Sequence, residues 1–254
     1  MSGSVTGSGM AEQFTRYARQ VVLPEIGVNG QQLLRDSSVL IIGVGGLGSI
    51  ASLYLAGAGV GELTLADRDR VDLSNLQRQL LYAEPQLGQD KTRAARERLQ
   101  SQNSDLSIRI HEGRLSPERL ADLVGRVDLV LDCSDNFPTR YAVNAACVAS
   151  RKPLVSGAAI RFEGQLLVVD PRSADAPCYA CIFPDHGAEA ERCEDAGVLG
   201  PVVGVIGSLQ ALSAIKLLTG LNDDVGILRI WDAKTMNWRN LRAQRDPDCR
   251  HCGG

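Results

Sequence analysis

The stretch from Val39 to Arg78 constrains the fold of this chain more than any other. It begins with the apolar run VLII, passes through the glycine-rich turn GVGGLG, and continues into a helical pattern. A second apolar run then ends at Asp67. A strand, a glycine turn and a helix in this order are typical of a phosphate-binding unit, because glycine lets phosphate approach backbone N–H groups at the helix N-terminus. The pattern predicts a nucleotide-binding α/β fold.

The glycine turn supplies the candidate phosphate-binding residues, which are Gly43, Gly45, Gly46 and Gly48. Asp67 is placed to accept a hydrogen bond from a ribose hydroxyl, which favours NAD-like or adenosine ligands over 2′-phosphorylated ones. On these residues alone, an NAD-dependent oxidoreductase is the first function to consider. A glycine turn without any ligand is the alternative structural interpretation.

Polar residues beyond Asp67 favour a triphosphate over a nicotinamide. Asn75 and Arg78 lie in SNLQRQ, and Lys91 follows in GQDKTR, although Lys91 considered alone would be expected on the surface. Hydride transfer needs little extra charge, whereas cations stabilise phosphoryl and nucleotidyl chemistry. Asp135 follows the apolar run VDLVL and is a candidate Mg²⁺ ligand, because carboxylates at strand ends suit this ion.

Alternating apolar runs and helical patterns predict a Rossmann-like, mostly parallel sheet with helices on both faces. Residues 164–170, 226–233 and 238–243 predict further strands that extend this sheet as an antiparallel or mixed C-terminal part. We expect a disordered lead over residues 1–13 and one domain over residues 14–254. Its nucleotide-binding part is predicted at about 37–157 and its carrier-binding and zinc part at about 158–254.

Composition and charge limit the partners. A formal net charge of −3 argues against nucleic acid or an anionic membrane as the main partner. The apolar run Val198–Leu218 contains Pro201, Gln210 and Lys216, so we interpret it as a buried or subunit-interface helix rather than a membrane span. Cysteines without a secretion signal indicate a reducing compartment, which predicts a cytoplasmic protein.

Two CxxC pairs predict a metal centre. Cys178 and Cys181 form one pair, and Cys249 and Cys252 form the other. Together they supply the four thiolates of a closed tetrahedral site, which favours structural zinc over redox chemistry.

Cys193 is different, because it lies in the polar segment AERCEDAGV. It could carry a covalent acyl or sulfur intermediate, and it could equally be an incidental loop cysteine, since the sequence determines neither its exposure nor its thiol pKa.

Taken together, these motifs resemble the ThiF/MoeB/HesA family, bacterial relatives of ubiquitin-activating enzymes. The resemblance runs from about Arg16 to Gly254 and rests on motifs that occur in order: RYARQ, GVGGLG, LADRDRVDLSNLQRQ, DCSDN, CYAC, CEDAGVLGPVVGVIGSLQA and CRHC. It implies ATP-dependent adenylylation of the C-terminal Gly-Gly carboxylate of a small ubiquitin-like sulfur carrier protein, with release of pyrophosphate. The adenylate would later become a thiocarboxylate.

The resemblance also implies roles for individual residues. Gly45, Gly46 and Gly48 would line the nucleotide and Asp67 would hold its ribose. The phosphates would contact Asn75, Arg78 and Lys91, and Asp135 would bind Mg²⁺. Arg19 in RYARQ would reach the ATP of the other subunit of a homodimer. The four paired cysteines would bind Zn²⁺, and Cys193 occupies the position of the family's mobile-loop cysteine.

The resemblance leaves the carrier open. PDHGAEAERC and WDAKTMNWR are more similar to thiamine-branch enzymes, whereas SGAAIRFEGQL is more similar to molybdopterin-branch enzymes. Sulfur is expected from a separate donor, such as a cysteine desulfurase or a rhodanese. A zinc-stabilised docking module without catalysis is the remaining alternative to the adenylyltransferase and the oxidoreductase.

Overall fold

Eight strands in the described part of the chain form one mixed sheet. The computed structural model describes residues 15–173, 175–184, 197–221 and 224–253. The strands are β1 Ser38–Ile42, β2 Glu62–Asp67, β3 Ser107–Glu112, β4 Leu129–Asp132, β5 Leu154–Ile160, β6 Glu163–Val169, β7 Ile227–Asp232 and β8 Asn237–Arg242. Their spatial order is β3-β2-β1-β4-β5-β6-β7-β8.

The first five strands are parallel, as the alternating pattern predicts. β1 lies between β2 and β4, and β5 pairs in parallel with β4. β1, β2 and β4 are almost wholly buried, because helices cover both faces of this part of the sheet and select continuous apolar runs. The predicted Rossmann-like fold class is confirmed.

The second part of the sheet is antiparallel, which confirms the predicted C-terminal extension. β5 pairs with β6, β6 with β7 and β7 with β8, all antiparallel. β5 runs from Leu154 to Ile160, and its second half pairs with β6 and not with β4. All six residues of the edge strand β8 are exposed, and its Trp238 stacks on Trp231 with 5.7 Å between ring centroids.

Helices connect and cover the strands. They are α1 at residues 15–21, α2 Gly27–Asp36, α3 Gly46–Ala58, α4 Lys91–Gln102, α5 Pro117–Gly125, α6 Phe137–Ala149, α7 Tyr179–Ile182 and α8 Gly200–Leu218. Short 3-10 turns occur at Leu73–Asn75 and Glu84–Gln86. Asn136 is the N-cap of α6, and its side chain accepts a hydrogen bond from Thr139 N at 3.0 Å.

Helix α8 is long and apolar enough to cross a membrane by length and composition. It packs against α3 and the sheet, and its Val202, Ile206 and Ala214 are buried. Gly207 permits the close approach to α3, since a Cβ there would lie 2.6 Å from Leu47 O. The side chain of the buried Gln210 donates to Asp132 O at 2.9 Å and to Val155 O at 3.2 Å, so α8 is tied to β4 and β5 by polar contacts as well.

Candidate functional site

A cleft of about 1790 Å³ opens at the carboxyl ends of β1, β2 and β4. β1 and β4 are neighbours in the sheet although β2 and β3 follow β1 in sequence, so the strand order reverses here. Ligands of open α/β sheets bind at such a reversal. The volume exceeds the roughly 300–1,000 Å³ of ordinary small-molecule sites, which leaves room for a nucleotide and part of a second substrate.

The four glycines of the turn differ in how closely neighbouring atoms surround them. Gly43 has a φ of +86°, and a Cβ on it would lie 2.9 Å from Cys133 O. A Cβ on Gly48 would lie only 2.0 Å from Gly43 O, and Gly48 does not line the cleft. A Cβ on Gly46 would lie 2.9 Å from Val203 Cγ2 of α8. Gly45 has the most space, because a Cβ there would have Gln79 Nε2 as its nearest neighbour at 3.6 Å, so the turn is open to a ligand at this glycine.

Asp67 ends β2 beside this turn. Its Oδ2 accepts from Val44 N at 2.7 Å and its Oδ1 from Asp69 N at 2.8 Å, which fixes the orientation of the carboxylate. Each oxygen keeps lone-pair capacity for a ribose hydroxyl. Burial raises the pKa of Asp67 above its ordinary 3.8, and the opposing charge of Lys91 limits that rise.

Asn75, Arg78 and Lys91 line the same cleft. Lys91 is only 5% exposed, so the surface position expected for this residue alone is wrong. Its Nζ lies 3.0 Å from Asp69 Oδ2, which holds the cation at the cleft wall. Arg78 is half-buried, and its guanidinium donates to Ser74 O at 3.1 Å.

Asp135 is exposed on the loop after β4 and lines the cleft. The loop is shaped by Asp132, which is fully buried and accepts from Ser134 N at 3.0 Å and from Ser156 Oγ at 3.1 Å. Burial raises the pKa of Asp132, while the nearby Arg140 opposes the rise. Arg140 also donates to Ser134 O at 3.0 Å. Sequence reasoning missed Asp132 and Arg140, although a charged residue next to an apolar run was a usable signal.

Gln79 is a second residue that sequence reasoning did not select. It is 3% exposed and lines the cleft next to Gly45, and its buried Oε1 has no hydrogen-bond partner among the described residues. A buried carbonyl oxygen without a partner is costly, and ligand binding is one way to supply the missing donor. Its position directly after Arg78 in SNLQRQ was the available signal.

The four paired cysteines meet at one place, away from the cleft. The sulfur of Cys178 lies 3.6 Å from that of Cys249 and 3.8 Å from that of Cys181, and Cys181 lies 3.4 Å from Cys252. All four sulfurs lie within 4.8 Å of one another. Sulfurs at 2.3 Å from a tetrahedral ion are about 3.8 Å apart, so this arrangement fits a four-thiolate metal site.

The thiols of this cluster differ in acidity. Burial raises the pKa of Cys178. Burial would also raise the pKa of Cys249, but backbone N–H groups of His251 and Cys252 lower it to about 7. A metal ion binds thiolates, so its binding releases protons from the cluster.

Arg19 and Cys193 are the remaining residues predicted from the sequence. Arg19 is exposed on α1 and does not line the cleft of its own chain. Cys193 lies outside the described residues.

Comparison with known sequences gives consistent relatives. The sequence pattern of the ThiF family matches residues 17–251. The chain is 50% identical to the sulfur carrier protein ThiS adenylyltransferase of Escherichia coli K12, over 95% of this chain and 96% of that protein. It is 46% identical to the molybdopterin-synthase adenylyltransferase of the same organism, over 95% and 97%. It is 45% identical to the adenylyltransferase and sulfurtransferase MOCS3 of Culex quinquefasciatus, over 94% and 55%.

Comparison with solved structures gives the same fold. The microcin C7 biosynthetic enzyme MccB in complex with N-formylated MccA matches with a TM-score of 0.82 and 25% identity, over 94% of this chain and 75% of that one. A crystal structure of E. coli MccB with ATP matches with a TM-score of 0.79 and 25% identity, over 94% and 74%.

Proposed function

The chain belongs to the ThiF family, and from that membership we infer that it is an adenylyltransferase of sulfur carrier proteins. It uses ATP to adenylylate the C-terminal Gly-Gly carboxylate of a small ubiquitin-like carrier of the ThiS or MoaD type, for sulfur incorporation into thiamine or the molybdenum cofactor. The observation that carries this proposal is the grouping of a glycine turn, Asp67 and the side chains of Arg78 and Lys91 in one cleft. A relative in the same fold class has been crystallised with ATP.

We propose the following roles in the cleft. The backbone at Gly43, Gly45 and Gly46 receives the phosphates, Gly48 supports the turn, and Asp67 holds the ribose. Asn75, Arg78 and Lys91 contact the phosphates, and Asp135 holds Mg²⁺. These assignments agree with the positions of the residues, because the cations and the carboxylates line one cleft.

The proposed reaction needs no general base. The carrier's terminal carboxylate is already a nucleophile, and its oxygen forms a bond to the α-phosphorus while the bond from that phosphorus to pyrophosphate breaks. The barrier comes from repulsion between anions and from charge developing on pyrophosphate. Arg78 and Lys91 lower this barrier by neutralising charge and by aligning the groups. Bound Mg²⁺ supplies further charge neutralisation.

We assign the four-thiolate cluster to Zn²⁺. Four sulfur ligands leave no open position for a substrate, so the proposed role is structural. The cluster ties the segment after β6 to the segment after β8, which are distant in sequence.

We propose a homodimer in which Arg19 reaches the partner's nucleotide. Val22, Leu23 and Val28 are exposed apolar residues on the same N-terminal segment, which is the composition expected of an interface. Mixing Arg19→Ala with Lys91→Ala protein should restore about a quarter of the wild-type rate, since half of randomly paired dimers contain one intact shared site. Restoration of no activity would argue for sites within single chains.

Three further proposals concern the surroundings of the reaction. Cys193 is a candidate acyl or sulfur carrier after adenylylation, and loss of thiocarboxylate formation with retained pyrophosphate exchange in Cys193→Ser would support it. A cysteine desulfurase or a rhodanese is proposed as the sulfur donor. We place the protein in the cytoplasm, where thiolates stay reduced, because the described cysteines form no disulfide.

ATP–pyrophosphate exchange tests the proposed function directly. We expect exchange of labelled pyrophosphate only when ATP, Mg²⁺ and a Gly-Gly-terminated carrier are all present. Assaying a ThiS-type and a MoaD-type carrier separately identifies the branch. Absence of exchange with both carriers, together with saturable NAD binding in calorimetry, would instead support an oxidoreductase.

A further inference from the structure

A buried asparagine lies where the two cysteine pairs meet. Asn144, on helix α6, is fully buried and is not a metal-ligand type. Its Nδ2 lies 3.4 Å from Cys178 Sγ and 2.9 Å from His251 Nδ1. Its Oδ1 accepts from Tyr179 N at 2.9 Å. One amide group therefore contacts the first cysteine segment twice and the second cysteine segment once.

The oxygen and the nitrogen of this amide make different contacts. The oxygen holds the start of α7, the short helix that has Cys178 as its N-cap and contains Cys181. The nitrogen has two hydrogens, which is enough to serve the Cys178 sulfur and His251 at the same time. Four thiolates around a divalent ion carry a net charge of −2, and N–H donors stabilise that charge in a buried site.

The position of Asn144 also connects the cluster to the cleft. Arg140 lies one turn earlier on α6 and donates to Ser134 O in the loop that carries Asp135. The same helix thus contacts the cleft loop near its N-terminus and the cysteine cluster one turn later. Because both contacts are buried, a displacement of α6 at the cluster would also displace the cleft loop.

We propose that Asn144 is a positioning residue of the metal centre. Its N–H groups hold the Cys178 thiolate and the His251 segment in the geometry that retains the ion, and its oxygen docks α7 on α6. The inference rests on the proposed metal occupancy of the four cysteines. It is independent of which carrier the enzyme adenylylates.

Two substitutions separate docking from thiolate stabilisation. Asn144→Asp keeps an oxygen acceptor for Tyr179 N but removes both N–H donors and adds negative charge beside the thiolates. Asn144→Leu removes all three contacts. Asn103→Asp is the matched control: Asn103 is also buried and donates to Ala56 O and Tyr17 Oη at 2.9 Å, far from the cysteines in the fold.

The measurement is zinc transfer from the full-length protein to a chromophoric chelator. Losing contacts to a metal ligand typically costs about 10–100-fold in metal affinity, so both Asn144 variants should release zinc faster by about that factor. Asn103→Asp should release zinc at the wild-type rate even if it unfolds at a lower temperature. In the cobalt-substituted protein, the sulfur-to-metal charge-transfer band should move to lower energy in both Asn144 variants, because a thiolate without a hydrogen bond is the better electron donor.

The outcomes are distinct. Wild-type release rates and an unshifted cobalt band in folded Asn144→Asp would overturn the proposal and reduce Asn144 to a docking contact. If Asn144→Leu fails to fold, Asn144→Asp and the cobalt spectrum still decide. A wild-type protein that binds neither zinc nor cobalt would refute the metal assignment itself, whatever its exchange activity.

Discussion

The nucleotide cleft and the cysteine cluster are built in opposite ways. The glycine turn, Asp67 and Asp135 lie at or just after the ends of buried, parallel strands, so packing of the sheet positions them before any ligand arrives. The cluster joins segments that follow β6 and β8, and β8 is an edge strand with every residue exposed. Its sulfurs are close enough to repel one another once deprotonated. The packed sheet therefore holds the strand-end groups of the cleft in place, whereas we propose that a bound ion holds the segments around the cluster.

The largest expected effect tests how far packing determines the cleft. Gly48→Ala should destabilise the whole protein by about 4 kcal/mol or more, because its Cβ would meet the backbone of Gly43 at 2.0 Å. Gly45→Ala should fold with nearly wild-type stability, since space exists there, but should weaken ATP binding at least tenfold by blocking the close approach of phosphate. Urea unfolding and calorimetric titration with ATP·Mg²⁺ measure the two effects.

The predicted contrast between Gly48 and Gly45 is wrong if each alanine variant shows the effect expected of the other. A stable Gly48→Ala protein that has lost ATP binding would make Gly48 a ligand contact. An unfolded Gly45→Ala protein would show that the open side of the turn is needed for packing.

Metal removal tests the other half of the comparison. Removing zinc, or replacing Cys249 by Ser, should lower the free energy of opening that hydrogen exchange measures for residues 227–253 by several kcal/mol. The reason is that structural zinc contributes directly to folding free energy. β1, β2 and β4 should keep their protection, because their burial does not depend on the ion. Cys147→Ser is a control for loss of a buried thiol, since Cys147 is buried but is not one of the four clustered cysteines. Equal loss of protection across the whole sheet would mean that the two regions are not separable.

The sequence predicted both sites well where a site depends on local order along the chain. The glycine turn, Asp67 and the CxxC pairs are each recognisable within a few residues, and each follows or closes a predicted element. It did not predict features that arise from contacts between distant segments. Lys91 was selected together with its neighbours in the motif, but its burial was not expected from this residue alone, because its ion-pair partner Asp69 lies far back along the chain. Asn144 was not selected, because its partners, Tyr179 and His251, come much later in the chain.

A smaller expected effect tests whether Gln79 lowers the stability of the free enzyme but is needed to bind the ligand. Gln79→Leu should leave the free enzyme as stable as wild type or slightly more stable, because the substitution removes a buried acceptor that has no partner. Exchange activity should fall about tenfold, the cost of roughly one lost hydrogen bond in a buried site. Matched urea unfolding and exchange assays measure this. A large loss of stability would mean that Gln79 is chiefly a packing residue of the turn.

The smallest effect compares how acid acts on the two regions. Burial alone would raise the pKa of Asp224, but hydrogen bonds from Lys216 and Arg229, at 2.7 and 2.6 Å, lower that pKa below its ordinary 3.8. The carboxylate of Asp224 therefore stabilises the C-terminal region above pH 3.8, and this contribution is lost as the pH falls through the lower, folded-state value. Asp67 and Asp132 have raised pKa values, so between 3.8 and those values the folded cleft binds protons more tightly than the unfolded chain and gains stability as the pH falls.

Asp224→Asn should accordingly lower the free energy of unfolding by about 1 kcal/mol at pH 7. The difference from wild type should shrink as the pH falls below 3.8, which urea unfolding at a series of pH values measures. A difference that stays constant down to pH 2 would show that Asp224 acts through packing and not through its charge. The two regions would then differ in their response to acid only because of the raised pKa values of Asp67 and Asp132 in the cleft.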